Sequence, residues 1–188
     1  MTNEELMQSI KARWGAVIDQ ACSASSVPAS FLAALIGNES GGDPNAKRFE
    51  PKVLSDLWQV LMGRKAAYGS IGRSDLVQFI SGQIAAWRAD ALSRLDGLAT
   101  SQGLVQIMGY EAIPFHQDSA EALRDPATEL VIATKMLAQF AEHNGLDLGK
   151  DFDQLFDCWN TGRPHAPTFD PQYIPNGLAR KAAYEALA

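Results

Sequence analysis

Glu39 is the residue in this sequence best placed to move a proton. It lies four residues after Leu35 and three after Ile36, on the face that Leu32 and Leu35 use to reach a core. Ser40, Gly41 and Gly42 follow at once, so Glu39 also falls in the last turn of its helix. Burial disfavours the carboxylate, and the negative end of the helix dipole disfavours it again. A carboxyl that keeps its proton near neutral pH is what general acid catalysis of glycoside cleavage requires. A rim glutamate turned to water at a frayed helix end fits the same spacing.

Two further stretches have sugar-binding character. Ala99 to Gly109 sets small and hydroxyl residues around Gly103, then presents Gln106 between Val105 and Ile107. A glutamine among core residues must hydrogen-bond something, either backbone or ligand. Cys158-Trp159-Asn160-Thr161-Gly162 ends an apolar helix with an aromatic platform, an amide and a glycine. Each stretch alone also describes an ordinary core glutamine or helix end.

Helices must position these groups, because helical periodicity runs through most of the chain. The pattern predicts helices over Thr2 to about Ala24, from Pro28 to the Gly41-Gly42 stop, and from Pro51 to about Tyr68. Ser74 caps a fourth, carrying Leu76, Phe79, Ile80, Ile84, Trp87, Ala91 and Leu95. Asp118 or Ser119 starts a short helix, and Pro126 opens a long one that stops at Gly145. Two more are expected over Phe152 to Trp159 and Asn176 to Leu187. Alternating β patterns are scarce, with weak candidates at Ala46 to Phe49 and around Ser70. The fold class is mainly α, and no linker or repeat marks a second domain.

In this order the three stretches resemble the lysozyme-like superfamily of lytic transglycosylases and goose-type lysozymes. The matching residues are Glu39-Ser40-Gly41-Gly42, Ser101-Gln102-Gly103-Leu104-Val105-Gln106-Ile107 and Trp159-Asn160-Thr161-Gly162. Glu39 and Ser101 are 62 residues apart, longer than lytic transglycosylases usually have. The longer interval is similar to the N-acetylmuramidase family of phage endolysins, which carries a helical insertion there. Phe49-Glu50 matches that family's Phe-Glu pair. Thr100 to Gly109 matches its Thr-Ser-Trp-Gly-x-x-Gln-Ile-Met-Gly run, with Gln102 in place of tryptophan, and Tyr184 supplies a tyrosine in the last helix. The resemblance runs from about Val27 to Ala188. It implies one lysozyme-like catalytic domain over 1–188, with a leading helix over 1–25 outside the match and a helical insertion over 45–97.

The resemblance further implies that Glu39 is the catalytic acid and that Ser101, Gln106, Trp159 and Asn160 line a glycan cleft. Glu50 is the second carboxylate, either a base that activates water or a tie that fixes its loop to a backbone or cationic partner. Asp43 competes with it, but before Pro44 it reads as a turn residue. The implied activity is hydrolysis of the N-acetylmuramic acid to N-acetylglucosamine β-1,4 bond of peptidoglycan. Alternatives are lytic transglycosylation giving 1,6-anhydro ends, and a non-catalytic glycan-binding or phage structural module.

Composition limits the alternatives. Sixteen Lys+Arg against twenty-two Asp+Glu give a net charge of −6, the wrong sign for nucleic-acid binding. His116, His143 and His165 stand 27 and 22 residues apart, without metal-ligand spacing, so neither a metal nor a cofactor is expected. Arg163 and His165 are possible contacts for wall carboxylates. Cys22 and Cys158 do not make a disulfide framework. Met1 to Gln8 lacks the basic start and apolar run of a signal peptide, and the run from Phe31 to Gly37 is too short to span a bilayer. The expectation is a monomer made in the cytoplasm, reaching peptidoglycan strands through a holin-type membrane lesion and without stable membrane insertion.

Overall fold

A computed structural model describes residues 1–81 and 89–187 of the chain. The first helix, α1 (Asn3–Ser23), starts at a capping box in which the Thr2 side chain accepts from Glu5 N and Glu5 accepts from Thr2 N. Leu6, Met7, Ile10, Ile18 and Ala21 form its buried stripe. Helix α2 (Ala29–Glu39) is buried on every side from Ser30 to Gly37, so it forms the centre of its unit. Around it stand α6 (Pro126–Asn144), α7 (Phe152–Thr161) and α8 (Tyr173–Glu185). Left-handed glycines follow α6 at Gly145 (φ 67°) and α7 at Gly162 (φ 81°), as the glycine stops predict. These elements make up the first of two compact units, Met1–Asp43 with Pro126–Ala188.

The leading helix, which lies outside the motif resemblance, contributes its buried stripe to this unit's core. Gly37 and Gly177 show how tightly that core is packed. A Cβ on Gly177 would come within 2.5–2.9 Å of the Phe156 ring. One on Gly37 would stand 2.8 Å from Met7 Cε.

The second unit, Pro44–Asp125, has a core of its own. Strand β1 (Lys47–Phe49) leads into α3 (Pro51–Leu61). A hairpin of β2 (Ala67–Tyr68) and β3 (Ile71–Gly72) follows, and then α4 (Arg73–Ser81). Helix α5 (Ala89–Leu98) precedes β4 (Thr100–Gln102) and β5 (Ile107–Met108). β4 pairs antiparallel with both β1 and β5, with Arg48 opposite Ser101 and Ser101 opposite Met108. Leu57, Val60, Leu76, Ile80, Leu95 and Leu98 fill the core.

The third helix is shorter than the predicted span to about Tyr68. It ends at Leu61 because Gly63 turns left-handed at φ 71° and Arg64 N bonds back to Gln59 O. Trp58 and Met62 are consequently exposed. The predicted fourth helix appears as α4 and α5. Ile84 and Trp87 lie outside the described residues, as does the side chain of Ala91. The two weak strand candidates form β1 and the β2–β3 hairpin, whereas β4 and β5 were unforeseen. Among the described residues no helix is long and apolar enough to cross a membrane. Cys22 and Cys158 are free thiols.

Candidate active site

In the first unit the residues after Glu39 are fixed by two successive left-handed glycines, Gly41 (φ 63°) and Gly42 (φ 87°). Gly42 N donates to Ser40 Oγ at 3.1 Å, and Gly42 O accepts from Trp14 Nε1 of α1 at 3.1 Å. A Cβ on Gly42 would stand 3.2 Å from Ile10 Cγ1. Both backbone conformation and space therefore favour glycine at this position. Helix α1, which the motif reading set aside, holds the turn behind Glu39.

Glu39 ends α2, and Oε1 accepts a hydrogen bond from the Tyr173 hydroxyl at the start of α8. Burial, and then the neighbouring Glu39 charge, pushes the Tyr173 phenol far above its usual range. At neutral pH it is a protonated donor. The preceding residue locks the same two helices. Asn38 Nδ2 donates to Tyr173 O at 2.9 Å, and Asn38 Oδ1 accepts from Arg180 Nη1. Beneath them, Phe156 of α7 meets the Tyr173 ring edge-on at 6.0 Å and Phe31 of α2 at 4.6 Å. Apolar packing thus sets the ring plane, and hydrogen bonds set the register of the Glu39–Tyr173 pair.

Trp159 and Asn160 close α7 in the same unit, Trp159 half-buried and Asn160 exposed. Their helix end is stabilised by Thr161 Oγ1, which lies 2.8 Å from Asp157 O and 2.9 Å from Arg163 O. Asp157 Oδ2 accepts from His165 N at 3.1 Å, pinning the following loop, and burial pushes the Asp157 carboxyl up.

The second unit holds the other predicted residues. Ser101 on β4 is buried, and Oγ stands 3.1 Å from Gln106 Oε1 and 3.3 Å from Arg48 O. Gln106 has a left-handed backbone (φ 54°), and Nε2 donates to Ala46 O and Gly103 O, both at 2.9 Å. Its amide ties β1, β4 and the Gly103 turn together. Gln102, where the resembled run has tryptophan, is buried and donates through Nε2 to Ala120 O. Gly109 has backbone directly above it, with Gly97 O 2.0 Å from where a Cβ would sit. Glu50 occupies the N-cap position of α3, with Oε1 2.6 Å from Arg48 Nε. The ion pair joins Glu50 to a residue of β1, just before it in the chain.

The motif reading missed two groups. Tyr173 was hidden because Pro175 suggests a helix starting later, although proline is tolerated in a first turn. Tyr184, the tyrosine that the resemblance singled out, is instead buried between α1 and α8, with Lys11 Nζ 5.5 Å from its ring. Glu111 follows Gly109-Tyr110 in a short 3₁₀ turn, and burial pushes its carboxyl up to about 6. No spacing signal distinguishes it.

Residues 16–150 match the family model described as the Transglycosylase SLT domain. The chain belongs to that family. The match covers more than two thirds of the 188 residues and includes Glu39, Glu50, Ser101 and Gln106. It begins inside α1, upstream of Val27, and ends before Trp159 and Asn160. Membership in the Transglycosylase SLT family makes this a lysozyme-like, mainly α protein acting on peptidoglycan. No curated protein and no solved structure matched the chain.

Proposed function

We propose that this SLT-family chain is a muramidase, a single catalytic domain that cleaves the N-acetylmuramic acid to N-acetylglucosamine bond. Glu39 is the general acid. The observation that carries this reading is the Tyr173 hydrogen bond to Glu39 Oε1 at the end of a buried helix. The tyrosine orients the carboxyl, and Glu39 passes its proton to the leaving glycosidic oxygen as positive charge develops on the sugar. Trp159 and Asn160 supply stacking and an amide to the glycan. Ser101 and Gln106 act through the turn they hold, presenting the backbone of Gly103 to Val105. The motif resemblance favours hydrolysis, with Glu50 directing water, and an endolysin setting in which a membrane lesion gives access to the wall.

A second reading is lytic transglycosylation, in which the muramyl 6-hydroxyl attacks in place of water. The Arg48–Glu50 ion pair favours it, because a carboxylate oxygen already engaged by a guanidinium is occupied and is not available to hold an attacking water. The family description points the same way. Mass spectrometry of digested peptidoglycan separates the readings, because the 1,6-anhydro product is lighter by one water.

A further inference from the structure

The second unit contains a cavity of about 410 Å³ lined by Asp75, Gln78, Phe79, Ile113, His116, Gln117 and Asp118. None of these residues belongs to the three motifs. The volume lies within the roughly 300–1,000 Å³ range of small-ligand sites. We propose that this cavity is an auxiliary site for an N-acetylhexosamine ring of the glycan strand. This inference rests on the peptidoglycan-cleaving reading above.

Three observations support it. First, the lining has the composition that a sugar requires: a half-buried Phe79 ring and Ile113 as apolar surface, with two amides, two carboxylates and an imidazole around them. A pyranose offers an apolar face of C–H groups and a rim of hydroxyl and acetamido groups, so it matches both parts. Among the described residues the lining has no Lys or Arg, and its charged groups are two carboxylates, which disfavour an anionic ligand.

Second, His116 occupies a left-handed backbone position (φ 55°), which side-chain-bearing residues adopt uncommonly. The turn that creates this position is fixed by His116 N to Ile113 O at 3.0 Å and Gln117 N to Ala112 O at 2.8 Å. Glycine would satisfy the backbone, yet the chain places an imidazole there, on the cavity wall. Unfavourable backbone of this kind concentrates at functional sites.

Third, the polar groups are pre-positioned. Asp75 Oδ2 accepts from Gly72 N at 2.8 Å, and Gln117 Nε2 donates to Phe115 O at 2.9 Å. Holding both side chains in place lowers the entropy cost of binding.

The test uses the Glu39→Gln variant of the whole 188-residue chain, which leaves an oligosaccharide uncut. It is titrated with an N-acetylglucosamine tetramer and followed by residue-resolved NMR. Shifts are expected at Gln78, Phe79 and His116 to Asp118. His116→Gly suits the left-handed backbone, so it retains the fold. Combined with Gln78→Ala on the exposed face of α4, it should weaken binding at these residues about tenfold, the equivalent of one or two lost hydrogen bonds. Shifts near Glu39 and Tyr173 with none around the cavity would overturn the auxiliary site and leave the cleavage reading intact. Shifts in the cavity caused by a stem peptide but not by the tetramer would overturn the sugar assignment. A wild-type protein that releases nothing from sacculi, yet binds the tetramer in this cavity, would remove the cleavage reading and leave the sugar site.

Discussion

The phenol of Tyr173 and the carboxyl of Glu39 are 134 residues apart in sequence and joined by a hydrogen bond. The pair links the start of α8 to the end of α2, with Asn38 and Arg180 forming a second link beside it. Tyr173 is a positioning residue on this account, because it orients the acid without contacting the glycan. Tyr173→Phe retains the ring against Phe156 and removes the donor. The expected outcome is a fall in kcat of about 10–100-fold, the equivalent of roughly 1.4–2.8 kcal/mol in the barrier, with KM nearly unchanged. An equal loss expressed entirely in KM would instead place the hydroxyl in substrate binding.

Gln106 and Asn160 should behave differently from each other. Gln106→Ala leaves Ala46 O and Gly103 O without their donor, which costs about 1–3 kcal/mol. Its melting temperature should fall. Asn160 is exposed, so Asn160→Ala should melt like the parent and release fewer muropeptides from sacculi. Thermal unfolding of both variants beside an activity assay checks the contrast.

These two residues also mark what the sequence makes legible. Helix ends were readable where a local signal exists: Thr2 with Glu5 before α1, Gly145 after α6, Gly162 after α7. Helix α3 was overextended because the helix was carried on to about Tyr68, across the Gly63 stop that follows the Leu54 to Met62 stripe. Strand β4 was missed because Thr100-Ser101-Gln102 has no apolar alternation. Glu39 stood out through its own helix face. Its partner Tyr173, the Trp14 bond to Gly42 and the inward turn of the Gln106 amide are tertiary relationships, and local periodicity carries no record of them.

Glu111 gives a pH dependence. Its carboxyl is pushed up to about 6 from 4.5 by burial, so the folded state resists its ionisation. That cost is absent below about pH 4.5, grows between pH 4.5 and 6, and is fully present above 6. Glu111→Gln should therefore be up to about 2 kcal/mol more stable than the parent at pH 7, with no advantage at pH 4. Denaturant melts at the two pH values test this, and an equal gain at both would show that burial of charge is not the cause.

Glu50 decides the fate of the cleaved sugar. The hydrolytic reading predicts reducing muramic acid ends, and Glu50→Gln should cut their yield at least about tenfold. Predominantly anhydro ends, together with a fully active Glu50→Gln variant, would establish transglycosylation and leave Glu50 as the partner of Arg48.

The most direct measurement compares release of soluble muropeptides from purified sacculi by the wild-type chain and by Glu39→Gln at equal concentration. The amide is nearly isosteric and accepts from Tyr173 as the carboxyl does, but it cannot supply the proton. The account predicts a fold that melts normally and a rate lower by at least about 10²–10⁴-fold. A Glu39→Gln protein retaining a third of wild-type release would contradict it.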